Sequence, residues 1–204
     1  MGRSGGGRGA AARLAAVGLA LMVLGAGCSG ERYPDPPEPR EPTSAPGERT
    51  IKRVDKAGGM VRSRIGVPKN VIYDLPEGAA GGSLVAYFLV PSEDDDGDGE
   101  ASLVVATEVA PGTSPQKLKN AIYDVVYGDF GGLVNPSSAA ASPGPLGGEV
   151  ECGWTMTPED GDMACTWYDE DTVGLIGFPG AGNTDEDLAL ITALFAAMRH
   201  DIER

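Results

Sequence analysis

The stretch that decides the fold is Glu149-Val150-Glu151-Cys152-Gly153-Trp154-Thr155-Met156-Thr157, followed after Pro158-Glu159-Asp160-Gly161-Asp162 by Met163-Ala164-Cys165-Thr166-Trp167-Tyr168. In the first half Val150, Cys152, Trp154 and Met156 alternate with Glu151, Gly153, Thr155 and Thr157; in the second, Met163, Cys165 and Trp167 alternate with Ala164, Thr166 and Tyr168. Period-two alternation marks strands with one buried face, and the Pro-Glu-Asp-Gly-Asp segment between them is turn chemistry. Folding the segment about the midpoint of 158 and 159 sets Cys152 opposite Cys165 and Trp154 opposite Met163, with every apolar side chain on one face. A cross-strand Cys152–Cys165 disulfide follows from that register, and closing so small a loop stabilises by about 3 kcal/mol in the loop-entropy description. A third strand, Thr172 to Phe178, follows the turn at Asp169-Glu170-Asp171.

Working outward, Thr184 with Asp187 three residues on has the form of a capping box, with Asp in place of Glu. Leu188, Ile191, Phe195, Met198 and Ile202 then step by 3, 4, 3 and 4, the seam of a terminal helix that packs on the sheet. Upstream, Ser83–Val90 and Ala101–Val109 are apolar runs of strand length. The polar, turn-rich Pro91–Glu100 between them predicts a long-looped hairpin. Ser114-Pro115 opens a helix, with Ser at the cap and Pro at the first helical position. Leu118, Ala121, Ile122 and Val125 recur at helical spacing, and Gly128 closes the helix. Residues 129–148, rich in Gly, Pro, Ser and Ala, read as a long loop. The resulting expectation is one α+β domain over residues 51–204: an antiparallel sheet of about five strands, with two helices on one face.

The chain before that domain reads differently. Arg3, Arg8 and Arg13 precede an uncharged run from Leu14 to Leu24, and Gly25, Ala26 and Gly27 lead to Cys28. The run suits the apolar core of a signal peptide, about 7–15 residues, and is shorter than the roughly 17–25 a membrane-spanning helix needs. A signal that closes on cysteine resembles the lipobox of bacterial lipoproteins, although Gly25 stands where that family prefers Leu. The resemblance implies cleavage of residues 1–27, acylation of Cys28 and an extracytoplasmic protein held on the cell membrane by lipid. Two or three acyl chains, at about 0.8 kcal/mol per buried methylene, anchor stably where one does not. Residues 28–50 then carry Pro34, Pro36, Pro37, Pro39, Pro42 and Pro46 without apolar periodicity, the composition of an extended, disordered tether. Lys52, Arg53, Lys56, Arg62, Arg64 and Lys69 follow as a basic stretch, read as a solvated face or one paired within the molecule.

The formal charge is −14, and about −17 once the three arginines of the first 27 residues are removed. Such a chain repels nucleic acid and anionic lipid, so nucleic-acid binding is not expected. In an exported, oxidising setting, Cys152 and Cys165 form a disulfide by default. They are not spaced as Cys-x-x-Cys, which argues against redox catalysis. Cys152-Gly153-Trp154, Ala164-Cys165-Thr166-Trp167-Tyr168-Asp169 and Thr172-Val173-Gly174 also resemble a segment found in membrane-anchored and secreted actinobacterial proteins. That resemblance implies a structural disulfide and no activity.

Candidate sites are few. Asp94, Asp96, Asp98 and Gly99 match the front of a calcium loop, but the twelfth position, where a bidentate Glu belongs, is Val105 within a predicted strand. These three aspartates are therefore weak calcium candidates, and the acidic hairpin tip is the plainer reading. Trp154 and Trp167 share the parity of the cysteines and read as core more than as a sugar-stacking platform. His200 is the only histidine; it suits a helix C-terminus, cannot build a zinc site by itself and has no nucleophile motif with it. No pair among the 30 acids is singled out for hydrolysis of sugars. The functional expectation is a lipid-anchored interaction or ligand-binding module with no cofactor, with an envelope protein as a candidate partner. A small-solute-binding lipoprotein and, further behind, an acidic hydrolase are the alternatives.

Overall fold

The computed structural model describes residues 33–38, 40–41, 45, 48–64, 75–91, 101–127, 144–154 and 162–203. Its strands are β1 (Lys56–Ala57), β2 (Met60–Arg62), β3 (Ala79–Leu89), β4 (Ala101–Val109), β5 (Glu149–Trp154), β6 (Met163–Tyr168) and β7 (Thr172–Phe178). Helix α1 (Pro115–Tyr127) follows β4, a short 3-10 turn (Gly144–Leu146) precedes β5, and α2 (Asp185–Ile202) follows β7. The strands form one sheet in the order β1-β2-β3-β4-β7-β6-β5, every neighbouring pair antiparallel.

The hairpin adopts the register read from the sequence. Cys152 lies opposite Cys165 and Trp154 opposite Met163, and the Cys152–Cys165 disulfide is formed. β3 and β4 pair along most of their length, with an irregularity between Ala80 and Ser83. β7 then docks beside β4, Val105 facing Leu175, and this pairing joins the two halves of the sheet.

Two expectations about the sheet are corrected. It has seven strands, not about five. The additional pair is the tight β1–β2 hairpin, whose two-residue turn is Gly58-Gly59 with φ of 56° and 85°. Positive φ at both central residues matches the right-handed twist of paired strands, which is why Gly-Gly makes hairpins. The strands are two and three residues long, too short to show periodicity. The second correction concerns the helices, which cover opposite faces. Along β4, Val104 and Ala106 join the core that contains Leu188, Ile191, Phe195 and Met198 of α2, whereas Val105 joins Leu118, Ile122 and Tyr123 of α1. β7 divides likewise, Ile176 toward α2 and Val173 and Leu175 toward α1. Alternate residues of a strand point to opposite faces. The continuous apolar runs of β4 and β7 are therefore what a strand covered on both sides requires.

Trp167, fully buried, is the centre of the α2 side. Its ring meets Phe195 edge-on at 5.7 Å, and its cross-strand partner is Gly174, where a side chain would collide with the indole. Trp154 is half-buried against the same core and donates from Nε1 to the Gly182 carbonyl at 3.2 Å.

The stretch 28–50 is not wholly a free tether. Tyr33 is buried, donates its hydroxyl to the Pro179 carbonyl at 2.6 Å and meets Phe178 edge-on at 5.7 Å. Arg49 is buried as well. Ile51 bridges to Glu203, and the Lys52 amide donates to the Ile202 carbonyl at 2.9 Å. Tyr33 and Arg49 hold this segment through specific contacts, without any apolar period.

Candidate functional site

The N-cap of α2 forms as its residues predict. Thr184 Oγ1 accepts from the Asp187 amide at 3.1 Å, and Asp187 Oδ2 accepts from the Thr184 amide at 2.9 Å. The Thr184 hydroxyl and amide hold the Asp187 carboxyl below its ordinary pKa. The opposite end of the helix carries an arrangement that sequence reading did not single out. Arg199 lies fully buried one turn beyond Phe195. Its Nε reaches Glu203 Oε1 at 3.1 Å, its Nη2 reaches Asp169 Oδ2 at 2.8 Å, and its Nη1 donates to the Gly147 carbonyl at 2.8 Å. The guanidinium also stands 5.6 Å from the centre of the Trp167 ring. Arg49 approaches the same carboxylates, at 2.6 Å from Asp169 Oδ2 and 3.7 Å from Glu203 Oε2.

Two arginines and two carboxylates thus cancel in charge. Thr172 Oγ1 donates to Glu203 Oε1 at 2.7 Å and accepts from Trp167 Nε1 at 3.3 Å. The turn after β6 places Asp169, whose Oδ1 accepts from the Asp171 and Thr172 amides, both at 2.9 Å. Buried charges persist when they are paired and hydrogen-bonded; every charge here is paired, and each makes at least one hydrogen bond. The clasp ties together the segment at Arg49, the β6–β7 turn and the end of α2. Asp169 Oδ2 meets both guanidinium groups and Glu203 Oε1 meets Arg199, whereas Glu203 Oε2 is buried without a hydrogen bond, its nearest cation Arg49 at 3.7 Å. Among the described residues, no group of three or more His, Cys, Asp or Glu side chains converges as metal ligands.

On the α1 side, Lys119 pairs with Glu151 at 2.7 Å and stands over the Tyr168 ring at 5.5 Å. Burial foremost, with Tyr123 and Asp162 adding to it, raises the Tyr127 pKa well above the usual phenol range. Burial and Asp124 raise that of Tyr123. These phenols stay protonated and serve packing.

Among the described residues, an open recess lies on the outer side of α2. A cleft of about 320 Å³ separates the strap Pro36–Arg40 from Ala193, Ala196 and Ala197, with Pro145 closing one side. At its rim Arg40 pairs with Asp201 at 3.3 Å, Asp201 Oδ2 accepts from the Gly58 amide at 3.0 Å, and His200 Nε2 lies 2.9 Å from the Glu41 carbonyl oxygen. The lone histidine thus joins the strap to the helix.

Cys28 and the calcium candidates Asp94, Asp96 and Asp98 lie outside the described residues. Cys152 and Cys165 are buried in the disulfide, Trp167 is core, and no described helix is long and apolar enough to cross a membrane. The fold and its sites define an antiparallel sheet covered by a helix on each face, clasped by buried charge and carrying an apolar cleft beneath a proline-rich strap. No family model matches the chain, and no curated protein or solved structure shows significant similarity to it.

Proposed function

We propose that this chain is a lipid-anchored extracytoplasmic binding module without catalytic chemistry, held on the cell membrane through Cys28 and binding through the α2 cleft. The cleft carries the binding part of this reading: its volume lies within the roughly 300–1,000 Å³ of ligand pockets, and its lining is mostly apolar with polar groups confined to the rim. Engagement of both clasp carboxylates by arginines argues against the acidic hydrolase. The anchoring part rests on the basic, apolar and small-residue succession that ends at Cys28.

The test uses protein extracted gently from cell membranes. Native mass spectrometry is expected to show a non-covalently bound species, whether small molecule or envelope protein, that Ala193→Leu removes. Cys28→Ala is expected to move the protein from the membrane to the soluble fraction. An extract with nothing bound, or a bound species indifferent to Ala193→Leu, refutes the cleft; full membrane retention of Cys28→Ala refutes the anchor.

A further inference from the structure

We infer that the α2 cleft selects an uncharged, largely apolar ligand the size of a substituted ring or a short aliphatic chain, and discriminates against its anionic counterpart. The inference rests on reading this cleft as a binding site. Its floor is the methyl groups of Ala193, Ala196 and Ala197, and its walls are proline rings, so the interior presents carbon. At about 320 Å³ it sits at the small end of ligand pockets, which limits the occupant to a compact group.

The rim excludes charge for two reasons. Three of its polar groups are held by the protein: Arg40 pairs with Asp201, Asp201 accepts from the Gly58 amide, and His200 lies against the Glu41 carbonyl. Recruiting Asp201 or His200 to a ligand competes with contacts that hold the strap on α2. The balance of charge at the rim is also negative. Glu38 and Asp201 line the cleft with Arg40 as the single cation among its lining residues, on a chain whose formal charge is −14. An anion approaching this rim meets like charge, whereas a neutral ligand meets no electrostatic barrier.

The experiment photolabels the full chain with two probes on one aryl-diazirine scaffold, a neutral benzyl alcohol and the matching benzoate, and maps adducts by peptide mass spectrometry. The alcohol is expected to label the peptides carrying Pro36–Arg40 and Ala193–Asp201, to be competed by excess unlabelled benzyl alcohol, and to exceed the benzoate by at least about tenfold. Ala193→Leu, an exposed position where a larger side chain fills the cleft, should abolish that labelling without changing the thermal midpoint. Ala197→Val serves the same purpose if Ala193→Leu proves unstable. Equal labelling by the benzoate overturns the ligand class and leaves the cleft standing as a binding site. Labelling that never maps to the cleft, or that survives both variants, overturns the cleft itself.

Discussion

Arg199→Met removes the centre of the buried clasp while keeping the apolar stem of the side chain. Three polar contacts disappear, to Glu203 at 3.1 Å, Asp169 at 2.8 Å and the Gly147 carbonyl at 2.8 Å. Breaking a buried ion pair from one side costs about 3–5 kcal/mol, because the remaining charge stays buried without its partner. The structure places this variant at the low end of that range. Asp169 retains Arg49 at 2.6 Å and two backbone amides, and Glu203 retains the Thr172 hydroxyl at 2.7 Å and Arg49 at 3.7 Å. The expected loss is therefore about 3 kcal/mol. For a domain of this size it corresponds to a fall of roughly 6–12 °C in thermal midpoint. Urea unfolding followed by tryptophan fluorescence measures the loss. Adding Glu203→Leu removes the orphaned carboxylate and leaves the Arg49–Asp169 pair in charge balance, so the double variant should recover part of the stability. A loss below about 1 kcal/mol for Arg199→Met, typical of a solvated surface pair, would refute the clasp. So would strict additivity of the Arg199 and Glu203 variants.

Three further outcomes are expected. Gly174→Ala should destabilise by about 1–3 kcal/mol or more, read from the urea midpoint, because the added methyl meets the Trp167 indole and buried backbone cannot yield. The double variant Cys152→Ala/Cys165→Ala should unfold at lower urea by about 3 kcal/mol, the loop-entropy value for a crosslink between residues 13 apart; an unchanged midpoint would show that the bridge does not constrain the unfolded chain. Thr184→Ala should cost about 1 kcal/mol through the lost cap. It should also alter the acid limb: a carboxyl whose folded pKa is depressed contributes stability above its unfolded pKa, near 3.8, and loses it as pH falls through the folded value. Stability measured from pH 5 downward should therefore fall less steeply in Thr184→Ala than in the parent.

The parts of the fold legible in the sequence are those where one face is buried and the other is not. β5 and β6 alternate, so their register and the Cys152–Cys165 pairing could be read directly, and the 3-4 spacing of α2 was legible for the same reason. β4 and β7 are buried on both faces and carry no alternation. Their sequences named strands but not which face each helix would cover, and both helices were assigned to one face. The β1–β2 hairpin had a local signal, Gly58-Gly59 between short segments, which the surrounding basic residues obscured. The clasp was also partly visible. Ile191, Phe195 and Arg199 are spaced by four, which puts a guanidinium on the buried side of α2, and Glu203 follows one turn later. An arginine in an apolar stripe demands an acid, but the clasp's other members, Asp169 and the second cation Arg49, are 30 and 150 residues away along the chain and could be found only from the fold. The α2 cleft had no sequence signature, because alanines on an exposed helical face become a recess only once a strap lies over them.

Packing of Tyr33, Arg49 and Ile51 changes what the proline-rich stretch can do. Read as composition, residues 28–50 are a spacer that lifts a domain from a membrane. Tyr33 and Arg49 are both buried, so most of that stretch begins and ends on the domain surface. On the proposed anchoring through Cys28, the chain up to the first buried ring is five steps long and spans at most about 18 Å when fully extended. A chain of formal charge about −17 after removal of residues 1–27 would then be kept near a bilayer whose anionic lipids repel it. The strap over α2 begins where that short span ends, so any pull on the anchor reaches Tyr33 before it reaches the clasp. Tyr33 donates to the Pro179 carbonyl and meets the Phe178 ring edge-on, and Arg49 meets two buried carboxylates.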